Sequence, residues 1–189
     1  MEQSSKYIRL AADLQSDSIV DGPGLRTVIW TQGCAHHCKG CQNPQTWDFN
    51  GGGLVPLEAV YEAIDELEYQ TGITFSGGDP MYQPEACNLV AEYARKKGLN
   101  IWCYTGFTFE EIMALAEKKP IYREFLDKID VLVDGRFKLE ERDLSLLFRG
   151  SRNQRLIDVK ASLETGKVVL VNEYEYNETK YFERVPMYV

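Results

Sequence analysis

Three cysteines stand in one short run, Gly33-Cys34-Ala35-His36-His37-Cys38-Lys39-Gly40-Cys41, directly after a β-rich stretch from Leu25 to Thr31. Thiols packed this densely must either pair or share a ligand, and that fixes what the fold has to do with the loop. Two more cysteines, Cys87 and Cys103, bring the total to five, an odd number. The opening residues, Met1 to Leu10, carry mixed charge and lack the apolar core of a signal peptide. No apolar run reaches the length of a membrane span. A cytoplasmic, reducing setting is therefore expected, with free thiols rather than disulfides. Clustered free thiols point to metal.

The rest of the chain alternates strand and helix signals. Leu57, Val60, Tyr61, Ile64 and Leu67 repeat at helical spacing over 57–69, behind Pro56. Ile73 to Phe75 reads as a short strand ending in Ser76-Gly77-Gly78-Asp79-Pro80. A helix is expected from Pro84 to Lys97, stopped by Gly98, and a strand from Leu99 to Tyr104. Thr108 and Glu111 form a capping box, with Phe107 and Ile112 as its hydrophobic staple, which predicts a helix over 109–117. A short helix near 121–127 leads to an apolar strand, Ile129 to Val133. Arg155 to Val159 and Lys167 to Val171 also read as strands.

This pattern predicts an α/β chain with a mostly parallel sheet, in the form of an open or partial parallel α/β barrel. It is expected to be a single domain over 1–189, with the Tyr- and Glu-rich segment 172–189 as a C-terminal arm or tail. Sites in such folds form at the carboxyl ends of the strands. Each informative motif falls at such an end: the cysteines, then Gly77-Gly78, then Thr105-Gly106, then Asp134-Gly135-Arg136. The formal net charge of −8 argues against a nucleic-acid surface, which needs clustered Lys and Arg. No nucleic-acid or membrane partner is expected.

The C-x3-C-x2-C spacing suits an iron–sulfur cluster. A four-iron cluster normally takes four thiolates. Three nearby cysteines leave one iron open to a substrate or cofactor. The competing assignment is a structural zinc ion, with His36 or His37 as fourth ligand. Zinc ligands usually arrive as two separated pairs, and no second pair follows here. Cys87 and Cys103 read as buried small hydrophobes, and His36 and His37 as surface loop residues.

The cysteine loop after one strand and the Gly-Gly-acid loop after the next resemble the radical S-adenosylmethionine superfamily. Asp21-Gly22-Pro23-Gly24-Leu25-Arg26 before the strand and Asn43-Pro44-Gln45-Thr46-Trp47 after the loop are similar to the activating enzymes of glycyl-radical enzymes. Asp79 in place of the commoner Glu, Gly40 in place of an aromatic residue, Asp134-Gly135-Arg136-Phe137 and the run Arg149 to Arg155 resemble one branch. That branch activates anaerobic ribonucleoside-triphosphate reductase. The resemblance covers roughly residues 17–171.

The resemblance implies a 4Fe–4S cluster on Cys34, Cys38 and Cys41, with S-adenosylmethionine on the open iron. It implies a 5′-deoxyadenosyl radical and a glycyl radical installed on the reductase. An external electron donor such as a flavodoxin is implied too. The alternatives are activation of another glycyl-radical enzyme, or a radical reaction on a small purine-like substrate. Expected contacts to S-adenosylmethionine are Gly40, Cys41, Gln42, Gly77, Gly78, Asp79, Thr105 and Asp134, with Asp79 accepting from the methionyl ammonium and Asp134 near the ribose. Arg26, Arg149, Arg152 and Arg155 are candidates for the cofactor carboxylate or a partner, against a solvated face for any one of them. Trp47 is expected to shield the cluster loop. No acid–base pair of side chains is expected to carry the chemistry.

Overall fold

A computed structural model describes residues 6–171 together with 173 and 174. The strands are β1 (Tyr7–Leu10), β2 (Gln15–Ser18), β3 (Arg26–Thr31), β4 (Gly53–Pro56), β5 (Gly72–Gly77), β6 (Asn100–Tyr104), β7 (Val131–Asp134) and β8 (Arg155–Asp158). Among the described residues they form one open sheet in the order β4-β1-β3-β5-β6-β7-β8, with β2 pairing on β3. The four central strands, β3, β5, β6 and β7, run parallel. β1, β2, β4 and β8 are added antiparallel. The fold is mixed α/β with a parallel-rich sheet that does not close.

Strand alternation decides which side chains meet the helices. Ile29 of β3, Ile73 and Phe75 of β5, Ile101 and Cys103 of β6, Leu132 of β7 and Ile157 of β8 join one apolar core. The helices packed on it are α1 (Leu57–Asp65), α2 (Pro84–Lys96), α3 (Phe109–Ala116), α4 (Ile121–Leu126) and α5 (Val159–Thr165). Val60 and Ile64 of α1 and Val90, Ala91 and Ala94 of α2 are buried at helical spacing. Each large apolar side chain removed from water here stabilises the fold by roughly 1.5–3 kcal/mol. Cys87 and Cys103 are fully buried within this core.

On the other face lie Arg26, Trp30, Thr74, Ser76, Trp102 and Tyr104. Arg26 is 1% exposed. Its guanidinium donates to Thr74 Oγ1, the Ile73 carbonyl and Asn100, and stacks over Trp102 at 5.6 Å. Burial lowers its pKa to about 10. It is therefore neither a solvated residue nor a candidate for a ligand's carboxylate. Trp102, Val133 and Leu156 form a smaller core here, covered by Phe148 and Tyr174.

The predicted capping box is present. Glu111 N–H donates to Thr108 Oγ1, and Thr108 N–H donates to the Glu111 carboxylate at 2.8 Å. Two expectations change. Lys167–Val171 forms only a bridge, Leu170 to Ile157, flanked by backbone bonds from Asp158 N–H to the Val169 carbonyl and from Val171 N–H to the Leu156 carbonyl. Val159 begins α5 rather than ending a strand. Of the tail, only Glu173 and Tyr174 lie within the described residues.

Beside α3, Arg155 joins Glu110 and Asp134. The Arg155 hydrogen bond holds the Glu110 carboxyl down at about 2, from an ordinary value of 4.5. An acid lowered in this way adds stability that is present above pH 4.5 and lost as pH falls through about 2. Because Glu110 is 59% exposed, screening limits the gain to about 1 kcal/mol or less. The stability advantage of the native chain over Glu110→Gln should therefore shrink between pH 4.5 and 2, measured by urea unfolding. A gap that does not change with pH would refute the assignment.

Candidate functional site

The ends of β3, β5, β6 and β7 place the four motifs along one edge. The cysteine loop leaves β3 and is pinned at its start: Gly33 N–H donates to the Thr46 carbonyl at 2.8 Å and Cys34 N–H to the Trp47 carbonyl at 3.1 Å. The glycine pair ends β5 against that same loop. Gly78 N–H donates to the Thr31 carbonyl at 2.7 Å and Asp79 N–H to the Gly33 carbonyl at 3.0 Å. A Cβ on Gly77 would lie 2.5 Å from the Thr31 oxygen, and one on Gly78 2.5 Å from the Gly33 oxygen. The missing side chains thus make room for the backbone that feeds the cysteines. A cofactor is not what fills that space.

A cavity of about 510 Å³ opens along this edge. That lies within the usual range for small-molecule sites. Cys34, Cys38 and Cys41 all line it, opposite Gly77, Gly78, Thr105 and Gly106. Trp47 and Phe137 contribute apolar wall, and Ile19, Val20 and Leu147 stand at its rim with 71%, 70% and 47% exposure.

The donor set fits an iron–sulfur cluster. Burial pushes the Cys34 thiol up to about 11 and also raises Cys38, while backbone N–H groups of His36 and Phe137 respectively favour the two thiolates. Asn43 N–H donates to Cys41 Sγ at 3.4 Å. Amide donors on ligand sulfurs are the means by which a protein tunes a cluster. Zinc fits less well. Among the described residues no three His, Cys, Asp or Glu side chains converge on a single ion. His36 is engaged elsewhere, and His37 stacks on Trp47 with ring centroids 4.7 Å apart. A four-iron cluster takes each thiolate at a separate iron, so it needs thiols around one cavity rather than on one point.

Of the expected cofactor contacts, Cys41, Gln42, Gly77, Gly78 and Thr105 line the cavity. Three do not. Gly40 packs by its Leu139 neighbour in a left-handed turn, φ +77°. Asp134 accepts from Phe109 N–H at 2.8 Å and from Arg155, so it anchors the start of α3 instead of facing a ribose. Asp79 is 0% exposed, and its carboxylate is taken up by donors of the chain itself. An ammonium of a ligand has no room there. Arg152 pairs with Asp143 at the surface, and Arg149 lines the cavity.

His36 corrects a further expectation. Its side chain is 4% exposed and bonds Asp79 at 2.9 Å. Trp30, Ser76 and Tyr104 line the cavity without having been expected. The strand register puts them in one row: Trp30 pairs with Ser76, and Phe75 with Cys103 one step before. Two-residue alternation, with Ile29, Phe75 and Cys103 facing the helices, carried that signal in the sequence.

Fold and site together define an iron–sulfur domain, and the family model described as a 4Fe-4S single cluster domain matches residues 20–157. The anaerobic ribonucleoside-triphosphate reductase-activating protein of Enterobacteria phage T4 is 39% identical over 143 residues, covering 72% of this chain and 86% of that protein. The proteins of that name from Salmonella typhimurium and Escherichia coli K12 are each 37% identical over 144 residues, covering 72% of this chain and 90% of theirs. Among solved structures, QueE from Escherichia coli aligns with 55% of this chain and 53% of its own, at 16% identity and a TM-score of 0.42. The chain belongs to the family of anaerobic ribonucleoside-triphosphate reductase-activating proteins.

Proposed function

We propose that this chain is a radical S-adenosylmethionine enzyme that installs a glycyl radical on an anaerobic ribonucleoside-triphosphate reductase. The observation that carries this is the convergence of three thiols and a glycine-built strand end on one cavity, in a chain of this family. Cys34, Cys38 and Cys41 hold a 4Fe–4S cluster and leave one iron without a protein ligand. Gln42, Gly77, Gly78 and Thr105 border the space for S-adenosylmethionine. The open sheet is the core of a partial barrel in a single domain.

When bound, the cluster would supply the electron for reductive cleavage of S-adenosylmethionine, chemistry that would allow a hydrogen atom to be taken from a glycine Cα of the reductase. The chain's residues prepare that event. Backbone N–H groups at the three sulfurs set the charge the thiolates carry. Trp47 and Phe137 wall the cavity and limit water, which matters because a carbon radical abstracts hydrogen from whatever it meets. The exposed Ile19, Val20 and Leu147 at the rim suit an apolar contact with protein better than a small polar purine. An external donor such as a flavodoxin, in the cytoplasm, completes the system.

Anaerobic reconstitution followed by incubation with reductant, S-adenosylmethionine and the reductase should give the doublet of a glycyl radical in electron paramagnetic resonance. Cofactor cleavage without a doublet would assign the wrong partner. A reconstituted chain without iron would end the proposal.

A further inference from the structure

His36 lies midway between Cys34 and Cys38, yet its imidazole turns away from the thiols and into the protein. Four donors close on the Asp79 carboxylate. Met81 N–H reaches Oδ1 at 2.9 Å, Thr105 Oγ1–H is 2.9 Å from each oxygen, and Gly106 N–H reaches Oδ2 at 2.8 Å. The fourth is His36 Nε2, 2.9 Å from Oδ2, which must carry the hydrogen because an ionised carboxylate only accepts. A carboxylate offers about four lone-pair sites, so these donors saturate it. The ring is held on its other sides as well. Phe107 meets it edge-on with centroids 4.6 Å apart, and Tyr82 lies at 5.8 Å. Gly106 has no Cβ to spare, since the imidazole of His36 occupies its place.

The four donors come from three loops: the cysteine loop, the turn after β5 and the turn after β6. Of these contacts, only that of His36 ties the cysteine loop to Asp79. The loop's outer arm is otherwise held by Phe137 N–H at Cys38 and by His37 stacked on Trp47, while Ala35, Lys39 and Gly40 are exposed. We propose that His36 is a positioning residue for the cluster. Its bond to Asp79 fixes the Cys34–Cys38 arm against the ends of β5 and β6, and so fixes the open iron relative to Gly77, Gly78 and Thr105. This rests on the cluster proposed above, and deepens it by naming what sets the cluster's place.

The test compares His36→Ala with His36→Gln in the full chain after anaerobic reconstitution. The Gln amide N–H reaches nearly as far as Nε2 and keeps a donor for Asp79. Readouts are iron and sulfide content, the resonance spectrum of the reduced cluster, and the S-adenosylmethionine concentration that half-converts that spectrum. His36→Ala should load iron but show a shifted spectrum and need about tenfold more cofactor, the loss expected for one charge-assisted hydrogen bond. His36→Gln should return both to within about threefold of the native chain.

A native spectrum and native cofactor requirement in His36→Ala would overturn the proposal. So would a His36→Gln variant as impaired as His36→Ala, since ring packing rather than the hydrogen bond would then be at work. If His36→Ala takes up no iron, His36→Gln decides alone: full loading with a native spectrum supports the bond, and no loading refutes it. A native chain that takes up no iron defeats the proposed function instead, and is seen before any variant is made.

Discussion

Replacing Cys38 with alanine should leave a folded chain that no longer holds a four-iron cluster. Cys38 is half-buried, and the start of its loop is pinned by Gly33 and Cys34 backbone bonds that the substitution does not touch. Stability should therefore fall by less than about 1 kcal/mol. Iron should fall from about four per chain to below about one, because two thiolates cannot retain a cubane against chelation. Cleavage of S-adenosylmethionine should drop to background. Alanine is the better choice than serine, whose oxygen can still ligate iron. Cys103→Ala is the matched control. Cys103 is fully buried in the core on the helix face, so its loss removes packing but no ligand. That variant should load iron fully and lose about 1–2 kcal/mol. Full iron in Cys38→Ala, or none in Cys103→Ala, would mean that the ligand set is wrong.

The contrast between these cysteines was legible in the sequence, because spacing separates a loop of thiols from isolated ones. The capping box at Thr108 and the helical repeat behind Pro56 were legible for the same reason: their partners are three or four residues apart. What the sequence hid is held together across the fold. β2 is a polar run, Gln15–Ser18, with Asp17 in a left-handed conformation, φ +64°, so neither apolar alternation nor regular backbone marks it. β4 follows a run of glycines and, among the described residues, pairs only with β1.

His36 is the plainest case at the site. A histidine in a polar loop beside cysteines resembles a solvent-facing or ligating residue, and its true partner is 43 positions away. Asp79 and Asp134 follow the same logic. Each stands after a strand where a ligand contact is expected, and, apart from the local Met81 N–H on Asp79, each is consumed by backbone N–H groups and side chains that no local window contains. An acid at a strand end is a candidate only until its lone pairs are counted.

The glycine pair links this bookkeeping to the largest structural effect expected in the site. Gly77 has φ +102°, a conformation that strains any residue with a Cβ. A Cβ there would also lie 2.5 Å from the Thr31 oxygen and 2.7 Å from its nitrogen. Both atoms are backbone, so neither can swing aside. Gly77→Ala must push β5 away from β3 where Thr31 pairs with Gly77, and so weaken the Gly78 bond to Thr31 that seats the cysteine loop. The combined strain should cost about 3 kcal/mol and lower the melting temperature by about 10 °C. Gly98→Ala separates the two causes. Gly98 also has a positive φ, +77°, but a Cβ there meets nothing within 4 Å. It should cost only about 1 kcal/mol, or about 3 °C, and leave iron uptake untouched. Equal losses in the two variants would mean that backbone conformation alone demands glycine at position 77. A much larger loss in Gly77→Ala, with poor iron uptake, would place the requirement in the close packing of one strand end on the root of the cluster loop.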